Sequence, residues 1–178
     1  MNNNKIYLYF AYEIRRNVDA IETRIYDPKT KTSVTTIKNA HWGGSIYIRP
    51  NWFVNGHQLY SKQLIKNGPY HLFSAGEHVD SSVILADTFI INSATSYKGD
   101  LYFINQYSSD DKKIYVTDGT ANGTKVFATL PSSGINLFQR DNVFGFMQDN
   151  KTIGGEELWI YDEMRKQFVK REDAINNV

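Results

Sequence analysis

The chain has 178 residues, of which 41% are apolar and 22% charged, with a formal net charge of +1. These proportions suit one soluble globular domain with a sizeable core, and with no long basic or acidic run they give no electrostatic ground for a nucleic-acid partner. The lack of cysteine excludes disulfides, thiolate catalysis and Cys-ligated zinc, and no run approaches the ~20 apolar residues of a membrane-spanning helix.

Aromatic residues are abundant, with twelve Tyr and ten Phe, and together with Ile, Val and Thr they favour strands. The first strand-like run, residues 5–10, is too short for a signal-peptide core and is soon followed by Glu13, Arg15 and Arg16. It is expected to start the fold, which leaves the compartment undecided. Next comes Arg24-Ile25-Tyr26-Asp27-Pro28-Lys29-Thr30, a strand running into a turn, with Val34 on the return. Runs 45–48 and 57–61 precede a second strand–turn–strand over 71–84, in which Gly76 is aligned with Gly119 and Ala75 stands where the acid would be. Runs 88–92 and 99–105 precede Ile114-Tyr115-Val116-Thr117-Asp118-Gly119-Thr120, with Gly123, Thr124 and Val126 after it. Runs 135–138 and 142–147 precede Glu157-Leu158-Trp159-Ile160-Tyr161-Asp162 and the return strand 167–170.

These runs are short, β-rich and bounded by Gly, Asn, Asp or Pro, and none keeps a helical period. The four strand–turn–strand units recur at roughly 43–48 residues, the size of a propeller blade of four strands. The expected fold is therefore all-β: one propeller-like domain of four antiparallel blades near 5–38, 45–86, 88–130 and 135–172. The first blade is short of residues for its innermost strand. Residues 173–178 are expected either to supply that strand and close the ring, or to leave an open arc that a second subunit completes.

The turn residues fit this reading physically. Asp27, Asp118 and Asp162 each follow a strand, where a carboxylate can accept backbone N–H bonds of the turn. Gly119 and Gly123 are expected to allow positive φ, and Thr120 and Thr124 to bond the backbone through their hydroxyls. Tyr115 and Trp159 should each pack one ring between neighbouring blades.

Gly99-Asp100-Leu101-Tyr102-Phe103 followed by Tyr115-Val116-Thr117-Asp118-Gly119-Thr120 and Gly123-Thr124 resembles the bacterial ELWxxDGT repeat proteins, also called hyalin-like. Glu157-Leu158-Trp159 supplies the Glu-Leu-Trp part of that motif, although Gly-Thr is missing after Asp162. The resemblance is clear over 99–130, partial over 135–170 and weak before 85. It implies β-propeller blades and carries no catalytic residues.

No motif gives a catalytic or metal site. The four histidines lack metal-ligand spacing, and the Asp118 loop offers one carboxylate where calcium wants several. No cofactor is implied. In a propeller, ligands usually bind on the face that carries the blade-to-blade connections. There His41 and Trp42, Arg15 and Arg16, and Asp110 and Asp111 would gather, and an exposed Trp42 could stack on a sugar or anchor a protein. The competing reading puts Trp42 in the core, with the charged pairs facing solvent. Trp52 and Trp159 are assigned to the core. The expected function is a non-catalytic binding or scaffolding module for a protein or glycan. A glycan-processing hydrolase using carboxylates on the ring face is the alternative.

Overall fold

The computed structural model describes residues 6–15, 18–40, 46–64, 67–75, 83–105, 113–130, 135–150 and 155–171. All fifteen elements among them are strands, and they form four antiparallel sheets in chain order. Sheet 1 holds β1 (Ile6–Arg15), β2 (Val18–Asp27) and β3 (Thr32–Ala40). Sheet 2 holds β4 (Ile46–Val54), β5 (His57–Gln63), β6 (Tyr70–Ala75) and β7 (Val83–Asp87). Sheet 3 holds β8 (Ile91–Tyr97), β9 (Asp100–Asn105), β10 (Lys113–Thr117) and β11 (Lys125–Thr129). Sheet 4 holds β12 (Ile135–Arg140), β13 (Val143–Asn150), β14 (Gly155–Asp162) and β15 (Gln167–Lys170). Each sheet is a meander whose strands pair in sequence order, so the all-β, propeller-like expectation holds.

The innermost strands carry the packing between sheets. Strand β4 packs on β8 and β9, and β8 packs on β12. One apolar cluster joins sheets 2 and 3 through Trp52, Leu59, Leu72, Phe89 and Phe103. Another joins sheets 3 and 4 through Tyr102, Ile114, Val116, Leu137, Phe144 and Phe146. Trp52 is in the core, as expected, and Trp159 packs against the second cluster.

A stacked aromatic pair between the second and third strands marks the phase of the repeat. Tyr60 lies on Phe73, Phe103 on Tyr115 and Phe146 on Trp159, with ring centroids at 5.2, 5.8 and 5.8 Å. Each is a directly opposed cross-strand pair, the arrangement in which side chains on one sheet face interact most closely. Tyr115 also meets Phe89 edge-on at 4.8 Å, so in sheet 3 the pair points toward sheet 2, as the sequence led one to expect of Tyr115.

This phase corrects the alignment of the second unit. Asp118 lies three positions after Tyr115 and Asp162 three after Trp159, and the same step from Phe73 reaches Gly76, not Ala75. The register also shifts next to the pair, between Leu72 and Phe73 and between Ile114 and Tyr115, as a β-bulge does. In sheet 1 that shift falls between Thr23 and Arg24, with Leu8 opposite Arg24. The three strands of sheet 1 therefore correspond to the second, third and fourth strands of the other sheets, and no innermost strand of sheet 1 lies among the described residues. The tail 173–178 lies outside the described residues. One boundary also moves: β8 begins at Ile91, not at residue 88, because Thr88 takes a φ of 58° and Phe89 turns inward to 3% exposure.

Candidate functional site

The turns leaving the third strands are built by their own side chains. Asp118 Oδ1 accepts the Thr120 N–H at 2.8 Å and the Thr120 hydroxyl at 2.7 Å. The hydroxyl and then the N–H of Thr120 hold the Asp118 carboxyl below its ordinary range. Thr120 Oγ1 in turn accepts from Gly123 N, and the Thr124 hydroxyl donates to Thr120 O at 2.6 Å. Asp162 Oδ1 accepts from Met164 N and Arg165 N, both at 2.9 Å, and Asp27 Oδ1 from Lys29 N at 2.9 Å. All three acids make Asx-type turns.

The two glycines of the Asp118 turn differ in role. Gly119 has a φ of +95°, as expected. Gly123 does not have a positive φ. It is needed because a Cβ there would stand 2.0 Å from Asp118 Oδ1, so the carboxylate fills the space a side chain would take.

Each described turn of this kind in sheets 3 and 4 lands on the first hairpin of the preceding sheet. The first hairpins of sheets 2, 3 and 4 turn at Asn55, Lys98 and Asp141, spaced by 43 residues, with φ of 47°, 51° and 54°. The first two are closed by Gly56 and Gly99, also at positive φ, the two-residue turn that matches strand twist. Between sheets 2 and 3, Asn55 Nδ2 donates to Asp118 O at 3.1 Å and the Ser74 hydroxyl to Gly119 O at 2.7 Å. Ser74 Oγ also lies 3.1 Å from His57 Nδ1.

Between sheets 3 and 4 the contact is ionic. Lys98 Nζ lies 2.6 Å from Glu163 Oε2, and the Tyr97 hydroxyl donates to Glu163 Oε1. Lys98 first and Tyr97 second hold the Glu163 carboxyl below its usual value, while the bond to Glu163 raises both the Tyr97 phenol and the Lys98 ammonium. Behind them, burial first and the Asp100 charge second push the Tyr102 phenol up to about 12, so it stays neutral. This corner opens into a polar cleft of about 510 Å³ lined by Tyr97, Lys98, Gln139, Asp141, Asn142 and Glu163. A second, aromatic pocket of about 270 Å³ lies between β11 and β14–β15, and includes Phe127, Trp159, Tyr161 and Phe168. Trp159 Nε1 is buried there without a protein acceptor.

Of the residues singled out in sequence, Asp27, Asp118, Gly119 and Asp162 sit on these turns. Arg15 ends β1, opposite Val18. His41, Trp42, Arg16, Asp110 and Asp111 lie outside the described residues. Sequence reasoning missed Asn55, Lys98 and Asp141, Glu163 and the face of sheet 4. A signal existed for the hairpins: Asn55-Gly56 is a turn dipeptide, and Lys98-Gly99 and Asp141-Asn142 follow it at the repeat distance. Among the described residues, no cluster of His, Asp and Glu could hold a metal ion, and no helix is long and apolar enough to cross a membrane.

No protein-family model matches the chain, and a search of curated proteins found no match.

Proposed function

We propose that this chain is a non-catalytic binding or scaffolding module, a member of the ELWxxDGT type of repeat, whose partner is a protein rather than a glycan. The observation that carries this reading is the outward face of sheet 4. Val143 and Met147 are 40% and 38% exposed there, beside the half-buried Leu158, Ile160 and Val169. Ile104, Ile114 and Val116 of sheet 3, which correspond to Met147, Leu158 and Ile160, lie in a core cluster. A contiguous apolar patch of that kind marks a protein-interaction surface more often than a sugar site, which needs polar groups around an aromatic platform.

The test compares wild-type protein and Met147→Asp as immobilised baits. Any protein kept by the first and lost by the second is purified and titrated directly against both. The reading expects Kd to rise at least about tenfold in the variant, or ~1.4 kcal/mol. Equal binding by both baits overturns it. So does a glycan-array signal that disappears in Trp42→Ala and persists in Met147→Asp, which would make the chain a lectin.

A further inference from the structure

Every described junction between sheets has two halves. The leading half belongs to the earlier sheet: its outward apolar face and its first hairpin. The following half belongs to the later sheet: its inward aromatic pair and the turn after its third strand. In sheet 2 the leading face is Leu59, Ser61, Leu72 and Ser74, none more than 2% exposed. In sheet 3 it is Tyr102, Ile104, Ile114 and Val116, all at or below 8%.

Sheet 4 repeats the leading half at the same register. Gly145, Met147, Leu158 and Ile160 take the four places, and Asp141 takes the place of Asn55 and Lys98 on the hairpin. Here Met147 and the neighbouring Val143 are exposed, Leu158 and Ile160 are half-buried, and Asp141 and Asn142 are exposed. Gln139 Nε2 donates to Asp141 O and fixes the hairpin from within.

Sheet 1 carries the places of a following half. Leu8 and Arg24 hold the places of the aromatic pair, and both are exposed. The turn after Asp27 holds the place of the Asp118 and Asp162 turns, and residues 28–33 are all exposed. Its charge suits the open hairpin. At the sheet 3–4 junction a hairpin cation, Lys98, meets a turn anion, Glu163. At the open ends the hairpin carries the acid Asp141, and the Asp27 turn carries Lys29 and Lys31 with Pro28, not an acid, in the place of Glu163.

We infer that two copies of this chain join head to tail, the Asp27 turn and Leu8 of each docking on the Asp141 hairpin and the Met147 face of the other, to close a ring of eight sheets. This rests on the reading of the sheet 4 face as a protein-binding surface and names its occupant. Met147 and the Asp141 hairpin at one end, and Leu8 and the Asp27 turn at the other, stand exposed within the single chain, so a second copy, and not the chain's own first sheet, is the occupant. A head-to-tail contact closes only when the rotation per copy suits. Two copies give eight blades, within the usual range of about four to eight for propellers. The hairpin and turn charges steer the docking, and the apolar face supplies the buried surface.

Size-exclusion chromatography with light scattering on the whole chain tests this. The wild type is expected at twice the 20.5 kDa chain mass, and Met147→Asp at the single mass with an unchanged far-ultraviolet spectrum. The decisive step uses two charge variants, Asp141→Lys and the double variant Lys29→Asp/Lys31→Asp. Each alone places like charges at both junctions and should weaken dimerisation at least about tenfold. Mixed one to one, they form a ring with one reversed and one original junction, so the dimer should return. Three results would overturn the inference: a monomeric wild type at every concentration, a dimer indifferent to these changes, or a mixture that stays monomeric. Stability coupling between Lys29 or Lys31 and Asp141 in a monomer would show closure within one chain. If the wild type is monomeric while Met147→Asp still loses a different captured protein, the binding-face reading survives and only the second copy is wrong.

Discussion

The junction between sheets 2 and 3 and the junction between sheets 3 and 4 have the same geometry and different chemistry. In the first, side chains of the earlier sheet read backbone carbonyls of the arriving turn: Asn55 bonds Asp118 O and Ser74 bonds Gly119 O. The turn must come close, so Gly119 lies against the His57 ring, and a Cβ there would be 2.9 Å from His57 Cγ. In the second junction, Glu163 occupies the place of Gly119 and reaches back with its own carboxylate to Tyr97 and Lys98. The repeat preserves where the turn lands, and either a close backbone or a long acidic side chain can hold it there.

What the two junctions share should matter most to stability. Phe103 and Phe146 are both 0% exposed and stacked on the partner ring of the third strand. Phe103→Ala and Phe146→Ala should each cost about 3–5 kcal/mol in urea unfolding, for lost burial and a residual cavity. A large difference between the two costs would show that the junctions are not energetically equivalent.

What distinguishes them should appear next. Gly119→Ala forces a side chain into positive φ and onto His57, and is expected to cost roughly 1–3 kcal/mol. Adding His57→Ala should recover the steric part and leave the backbone part. Glu163→Gly, at the matching position, meets no such clash and should lose only its polar contacts. If Gly119→Ala is as well tolerated as Glu163→Gly, the close approach is not what sets the first junction.

A smaller loss, about 1 kcal/mol, is expected for Asp118→Ala, because the turn N–H of Thr120 can turn to water once its acceptor is gone. The same change at Asp162 should cost about as much, since both carboxylates serve turns of the same kind.

The smallest effect is ionic and depends on pH. Glu163 has its folded pKa lowered by Lys98 and Tyr97, with Lys166 adding a weaker attraction. A depressed carboxylate contributes stability that is complete above its unfolded pKa and is lost as pH falls through the folded value. Urea midpoints taken from about pH 6 down to about pH 3 should therefore fall more steeply in wild type than in Glu163→Gln. Ser74→Ala, which removes a hydroxyl bond to the Gly119 carbonyl at the first junction, should leave the wild-type slope unchanged. Parallel profiles for wild type and Glu163→Gln would remove Glu163 as the source.

How much of this could be read in the chain depends on range. Strands, the Asx turns at Asp27, Asp118 and Asp162 and the repeat distance were all legible, because each rests on residues within a few positions of one another. A strand alternates apolar and polar residues on its own, and an Asp carboxylate reaches the N–H two or three residues ahead wherever the turn is placed. The phase of the second unit was not legible. Ala75 and Gly76 both resemble a turn, and only the pairing of Tyr60 with Phe73 and the adjacent bulge decide between them. The role of Gly123 was misread for a similar reason, since sequence shows that a side chain is absent but not which carboxylate fills its space.

The amino-acid sequence by itself determined that this is an all-β chain of repeated strand–turn–strand units, because those units are held by local bonds. Tertiary structure alone decided which turn meets which hairpin, in contacts that join residues 45 to 66 positions apart. It also decided that the face buried in sheets 2 and 3 is partly exposed in sheet 4. Ile104 and Met147 stand at the same register position, 7% and 38% exposed, and packing against another sheet is what makes the first of them core.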